Sequence, residues 1–191
     1  MSKFQTPTLS RRGFALGALS ATTVTAACGN GVGNDSASKI DARVDATLNQ
    51  MFDLYPNTRD LQSKATGLLV MPLITEAGFV FGGSYGRGAL RINGATVDYY
   101  SSAQATVGFQ IGAQQYAHAL FFMTEEALRD FRYSSGWAAG ADIQYAVNRE
   151  GGNLGTSTTN LLSPVIGVVF GQAGLIAGAT VEGQRYTRIL P

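Results

Sequence analysis

Gly78-Phe79-Val80-Phe81-Gly82-Gly83-Ser84-Tyr85-Gly86-Arg87-Gly88-Ala89-Leu90-Arg91-Ile92, followed by Asn93-Gly94 and then Thr96-Val97-Asp98-Tyr99-Tyr100-Ser101, sets out two strands joined by a tight turn. An Asn-Gly pair tolerates the positive φ angles of a two-residue hairpin turn, so apolar segments on either side of it read as antiparallel strands. Glycines 82, 83, 86 and 88 interrupt the first strand. Glycine inside a strand marks strong curvature, a bulge or a close approach of another backbone.

The same reading extends in both directions. Leu68-Leu69-Val70-Met71-Pro72-Leu73-Ile74 is a short apolar run, a strand with Pro72 at an edge or a bulge. Ala105 to Met123 reads as one long strand or two joined ones. Thr124-Glu125-Glu126-Ala127 opens a helix that runs to about Tyr133, with Thr124 as its cap and acids in the first turn. Gly140 to Val147, Leu161 to Phe170 and Leu175 to Ile189 read as further strands, and residues 148–160 as a polar loop. The uncharged stretch from Gly151 to Val181 is interrupted by Pro164 and glycines 167, 171, 174 and 178, which favours buried strands over a membrane helix.

Before the strands, Ile40, Val44, Leu48, Met51, Phe52 and Tyr55 recur at helical spacing on one face. Ser38 or Asp35 can cap this helix, Pro56 stops it, and a short second helix follows over about Thr58 to Ala65. Helices first and mostly hairpin-linked strands afterwards predict an α+β domain: a curved antiparallel or barrel-like sheet, N-terminal helices, and one helix near residues 124–133.

The first 27 residues follow a different logic. A polar start with Lys3 leads to Ser10-Arg11-Arg12-Gly13-Phe14-Ala15-Leu16, then to an uncharged run ending in Thr25-Ala26-Ala27-Cys28. A basic start, a short apolar run and small residues before a cut site are the parts of a secretory signal. The run is short of the roughly 20 apolar residues that span a bilayer. Arg11 and Arg12 resemble a twin-arginine export signal, which is an address rather than an anchor. Ala26-Ala27-Cys28 resembles a lipobox, with Thr25 where Leu, Val or Ile is favoured. The expectation is a twin-arginine-type lipoprotein signal over residues 1–27 and lipidation of Cys28. The alternative is ordinary cleavage near Ala27, leaving a free thiol. Cys28 is the only cysteine, so no disulfide forms within the chain. Residues 28–37 are a flexible Gly/Asn/Ser linker, and residues 38–191 form a single domain. Gly29, with no Asp after the cysteine, would send a Gram-negative lipoprotein to the outer membrane, facing the periplasm.

Charge excludes one class of partner. Of 14 Lys and Arg, three precede Cys28; the remaining 11 stand against 13 Asp and Glu, a net of −2. Nucleic-acid binders carry a basic patch or stripe that this balance does not supply. Catalytic signals are sparse as well. His118 is the only histidine and alternates with Tyr116, Leu120 and Phe122 on one strand face, which reads as a packed or half-exposed residue. Zinc sites need about four ligands, mostly Cys and His, so no metal site is expected. A triad would have to combine His118 with Asp142 or Asp98, yet no nucleophile-elbow motif is present. Glu76 and Glu182 are candidates for acid–base work that no spacing singles out. Gly82 to Gly88 is not a phosphate loop, because a strand and a turn follow it rather than a helix. No catalytic residue, no cofactor and no enzyme activity are expected. Arg87 and Arg91 share a strand face at i, i+4 and are candidates for a lipid headgroup, since Arg contacts phosphate bidentately.

Several blocks taken together resemble the SYLF lipid-binding domain family. They are Lys64-Ala65-Thr66-Gly67-Leu68-Leu69-Val70-Met71-Pro72, Glu76 to Gly88, Val107-Gly108-Phe109-Gln110-Ile111-Gly112-Ala113-Gln114, and Gly174 to Gly183. The resemblance covers about residues 40–190. It implies a phospholipid-binding domain without catalysis, and bacterial relatives are commonly exported envelope lipoproteins. Lys64 and Arg132 join the headgroup candidates through this resemblance and their positions near element ends. Eukaryotic members often use a basic amphipathic N-terminal helix. Here that helix sets Lys39 and Arg43 against Asp41, Asp45 and Asp53 and reads as a core-packing helix. Aromatics such as Phe81, Tyr85, Tyr99, Tyr100 and Phe122 are core residues by default, some of which could line an acyl groove. The expected function is a membrane-anchored envelope lipoprotein that binds phospholipid. The alternative is a structural or protein-interaction lipoprotein whose lipid contact is its anchor alone.

Overall fold

The computed structural model describes residues 36–140, 143–145, 163–171 and 181–191. The predicted signal, the linker up to Asp35, the polar loop 148–160 and the Gly174–Thr180 block lie outside these. Helix α1 spans Ser36–Leu54 and α2 spans Thr58–Lys64. Strand β1 runs Gly67–Ile92 and β2 runs Ala95–Phe122, followed by helix α3, Glu125–Tyr133. Short strands β3 (Trp137–Ala138) and β4 (Gln144–Tyr145) precede β5 (Val165–Phe170) and β6 (Arg185–Ile189).

The hairpin is the frame of the molecule. Asn93 and Gly94 both take positive φ, 51° and 81°, and Ile92 pairs with Ala95 across the turn. The sequence reading divides each arm into two strands, but each arm is one continuous strand paired with the other from Gly67↔Phe122 to Ile92↔Ala95. Bulges absorb the irregular residues, at Met71/Ile74 around Pro72, at Gly78/Val80, and at Leu90/Arg91. Pro72 lacks an amide proton, and it is tolerated because β1 pairs with β2 alone. The other edge of β2 carries β6 along Tyr99–Ala103 and β5 along Ala117–Phe122, both antiparallel. The sheet is therefore antiparallel except where β4 joins β5 in parallel.

Strands this long cannot stay flat. The even-numbered face of β1 turns back on its own beginning: a Cβ on Gly86 would lie 2.4 Å from the Leu73 carbonyl oxygen, and one on Gly88 2.0 Å from that of Val70. Only glycine permits this approach, and it curls the sheet into a half-barrel.

Strand alternation then sorts the side chains into two cores. Leu68, Val70, Ala89, Ala117, Ala119, Phe121, Ile166, Val168 and Phe170 face outward and pack under α1 and α2. The helix α1 stripe Ile40, Val44, Leu48, Met51 and Phe52 is buried there, as its spacing predicts. Each side chain so buried contributes about 1.5–3 kcal/mol. Leu69, Met71, Leu90, Tyr100, Tyr116, Leu120, Phe122 and Tyr186 fill the concave face, which α3 closes with Leu128 and Phe131. Thr124 caps α3 by accepting a hydrogen bond from the Ala127 amide at 3.2 Å. Residues Asp35–Pro191 form one compact unit. Among the described residues no helix is long and apolar enough to cross a membrane.

Candidate functional site

Two polar features stand out from this frame, one inside the curl and one outside it. Inside, His118 is fully buried, with Nε2 2.7 Å from the Tyr186 hydroxyl. Its Nδ1 is buried without a hydrogen-bond partner among the described residues. Burial pushes the imidazole pKa from 6.5 down to about 3, because a cation there would lose its hydration with no counter-charge in return. Next to it Gln184, also fully buried, donates to the Tyr116 hydroxyl at 2.7 Å and accepts from the Ser102 hydroxyl. Gln184 thus ties the turn before β6 to the middle of β2. Burial, and then the Asp98 carboxylate, push the Tyr100 phenol up to about 12. The buried imidazole, bound to the Tyr186 hydroxyl, matches the packed alternative that the sequence offers rather than the half-exposed one.

Outside, the N-terminal half of α1 lies against the outer face of β1. An open groove of about 390 Å³ is lined there by Lys39, Ile40 and Arg43 from α1, and by Pro72, Leu73, Thr75, Tyr85 and Arg87 from β1. Lys39, Arg43 and Arg87 are exposed, and none of them has an ion pair among the described residues. The Arg87 Nε donates to the Tyr85 hydroxyl at 2.9 Å, which fixes the guanidinium at the groove's edge.

The acids of α1 are turned away. Residues two apart on a helix lie about 200° apart around its axis, so Asp41 and Asp45 point elsewhere than Lys39 and Arg43. Asp45 sits 2.6 Å and Asp41 4.0 Å from the Arg91 guanidinium. Asp41 also accepts hydrogen bonds from the Thr96 and Tyr99 hydroxyls, both at 2.8 Å. The Asp41 contact raises the Tyr99 pKa further, after the burial that raises it first. In the first half of α1 the charges are therefore segregated in space: Asp41 and Asp45 on the hairpin, Lys39 and Arg43 on the groove.

The four headgroup candidates fall in different places. Arg87 lines the groove. Arg91 shares its strand face, but its side chain is only 15 % exposed and is held by Asp41 and Asp45. Lys64 pairs with Asp60 at 2.7 Å on α2. Arg132 pairs with Asp98 at 3.1 Å, alongside Arg188 at 3.4 Å from the same acid. Arg91 thus clamps α1 to the hairpin. Arg91→Ala is expected to cost about 1–2 kcal/mol in a urea titration, between the values typical of exposed and buried pairs. Lys39 and Arg43 are not among the candidates drawn from sequence, and only the helical wheel combined with the position of β1 reveals them. Cys28, Arg11 and Arg12 lie outside the described residues. Among those described, no group of three His, Cys, Asp or Glu side chains could hold a metal ion.

Residues 103–188 match the Ysc84 family, described as Las17-binding protein actin regulator. The match supports the SYLF domain. It begins in β2, passes through α3, β3, β4 and β5, and ends in β6, so the interior residues Tyr116, His118, Gln184 and Tyr186 lie within the matched part. Lys39, Arg43 and Arg87 lie before it. No curated protein matches the chain.

Proposed function

We propose that this protein is an exported lipoprotein, anchored through Cys28, whose SYLF domain binds phospholipid at the membrane that holds its anchor. The observation that carries the binding reading is the groove, where three exposed cations with no counter-ion among the described residues line one opening in a domain whose C-terminal part matches the SYLF/Ysc84 family. Uncompensated cations attract anionic headgroups, at about 1 kcal/mol for each Lys or Arg near the surface. The chain's net charge of −2 after Cys28 conceals this, because it does not record that Asp41 and Asp45, the acids beside Lys39 and Arg43 in sequence, are held by Arg91 away from the groove. The domain acts by binding rather than catalysis, in keeping with a His118 whose Nε2 is occupied by Tyr186 in a closed interior.

The anchor reading is supported by the Arg11-Arg12 pair, the short apolar run and the position of Cys28. With Gly29 after the cysteine, the destination in a Gram-negative cell is the outer membrane, facing the periplasm. Mass spectrometry of the protein taken from its native membrane tests this. The expected mass is a chain beginning at Cys28 and carrying acyl groups, with phospholipid co-purifying. A mature chain with a free Cys28 thiol would remove the anchor.

A second reading rests on the family description itself, which names a protein partner for that family. In it, this lipoprotein docks an envelope protein and touches lipid through its anchor alone. A stoichiometric protein partner, with no vesicle affinity in the anchor-free domain, would favour it.

A further inference from the structure

The face of β1 that lines the groove continues past Tyr85. From Phe81 to Leu90 the β1–β2 register is unbroken, from Phe81↔Val107 to Leu90↔Asp98. Phe81, Gly83, Tyr85 and Arg87 therefore all lie on the outer face of β1, the face whose Ala89 packs under α1. The even-numbered residues of the same segment, Ser84, Gly86, Gly88 and Leu90, are buried on the concave side. On the outer face Phe81 is 74 % and Tyr85 51 % exposed, against a default of burial for aromatic side chains. Tyr85 is amphipathic: its ring is open and its hydroxyl is bound to the Arg87 guanidinium. An exposed phenylalanine and a tyrosine thus share one face of the domain with three cations that have no ion pair among the described residues. Aromatic rings with cations beside them suit the boundary between headgroups and acyl chains, where rings enter the apolar side and cations meet phosphate.

The chain's own connectivity points to the same occupant. The groove is built on the first turns of α1, and Ser36 is only eight residues beyond Cys28. At about 3.5 Å per residue such a tether reaches at most about 28 Å. An acylated Cys28 would hold this end of the domain within reach of the bilayer at all times.

We propose that the outer face of β1 from Phe81 to Arg87, with Lys39 and Arg43 of α1, is the surface the domain lays on an anionic bilayer. Phe81 and Tyr85 enter the interface while the three cations contact lipid phosphates. This assignment rests on the phospholipid-binding reading and adds to it an orientation: α3 and the concave side face away from the membrane.

The test is co-sedimentation of residues 35–191, which carry both cores, with phosphatidylglycerol-containing vesicles at low salt. Lys39→Glu, Arg43→Glu and Arg87→Glu combined should weaken binding by about 100-fold or more, since each cation is worth roughly fivefold before its charge is reversed. Phe81→Ser should weaken it roughly tenfold while leaving the salt dependence unchanged, because it removes apolar contact and no charge. Lys64→Glu with Arg132→Glu, on other faces, should have little effect beyond general electrostatics. The groove and Phe81 variants change exposed side chains that hold no ion pair among the described residues and should keep the wild-type unfolding midpoint; the control loses its pairs with Asp60 and Asp98 and is compared at a temperature where it is fully folded. If the wild-type domain binds and the groove and Phe81 variants bind equally well, the orientation is overturned and the phospholipid reading stands. If the wild-type domain binds no vesicle, the phospholipid reading fails and the orientation with it.

Discussion

Gly88→Ala is expected to destabilise the domain by about 3 kcal/mol or more, toward the upper end of what overpacking costs. The added methyl would sit 2.0 Å from the Val70 carbonyl oxygen and 2.6 Å from the Met71 sulfur. The sulfur can move, but the carbonyl belongs to a strand paired along its length with β2, and shifting it breaks the ladder. Gly86, 2.4 Å from the Leu73 carbonyl oxygen, is expected to behave alike. Gly67→Ala makes a useful contrast. Its methyl would meet the Leu128 Cδ1 at 2.7 Å, the mobile end of a side chain, so the loss should be smaller. Urea titrations of the three variants check the order. An unchanged midpoint for Gly88→Ala would mean that the two halves of β1 do not meet and that the sheet does not curl as described.

Acid is expected to have a comparable effect through one residue. The folded-state pKa of His118, about 3, lies below the unfolded value of 6.5. Between these values the unfolded chain binds a proton that the folded chain refuses, so stability rises with pH. The contribution of the neutral imidazole is fully present above pH 6.5 and is lost as pH falls toward 3. Each pH unit in that window is worth about 1.4 kcal/mol, so going from pH 7 to pH 4 removes about 3 kcal/mol. Against a total of roughly 5–15 kcal/mol for a domain, that is a large share. His118→Gln keeps a polar group opposite the Tyr186 hydroxyl but cannot titrate. It should flatten the dependence of stability on pH between 4 and 6.5, at some cost at pH 7. A variant as acid-sensitive as the wild type would show that other groups carry the effect.

Much of the fold is legible in the sequence because its signals are local. Asn93-Gly94 dictates the hairpin, Thr124 caps α3, and the apolar stripe from Ile40 to Phe52 finds its sheet. Glycines 86 and 88 announce close approach, but nothing local says that the partner is Val70 of the same strand. That contact appears only once a 26-residue strand bends through a half-turn. The interior polar cluster is hidden for a similar reason. Ser102, Tyr116, His118, Gln184 and Tyr186 are unremarkable singly and meet only through the β2–β6 pairing and the turn before it.

The outer site is partly legible. Arg87 stands out from its spacing, and its hydrogen bond to Tyr85 places it at the groove. Arg91 has the same spacing but lies beneath α1, where Asp41 and Asp45 claim it. Lys39 and Arg43 are obscured by their acidic neighbours in sequence, since a net charge records neither the face of a helix nor the ion pairs that absorb its acids. Phe81 and Tyr85 go against the default for aromatics, because the outer face of β1 extends beyond what α1 covers.

The proposed function requires the domain to hold phospholipid by itself, through exposed cations and aromatics on one face. The most direct measurement is the partitioning of residues 35–191, without signal or Cys28, onto vesicles as the mole fraction of phosphatidylglycerol in phosphatidylcholine is raised. Binding is expected to rise steeply with the anionic fraction and to fall as salt screens the charges. No partitioning at any anionic fraction in low salt would contradict the account.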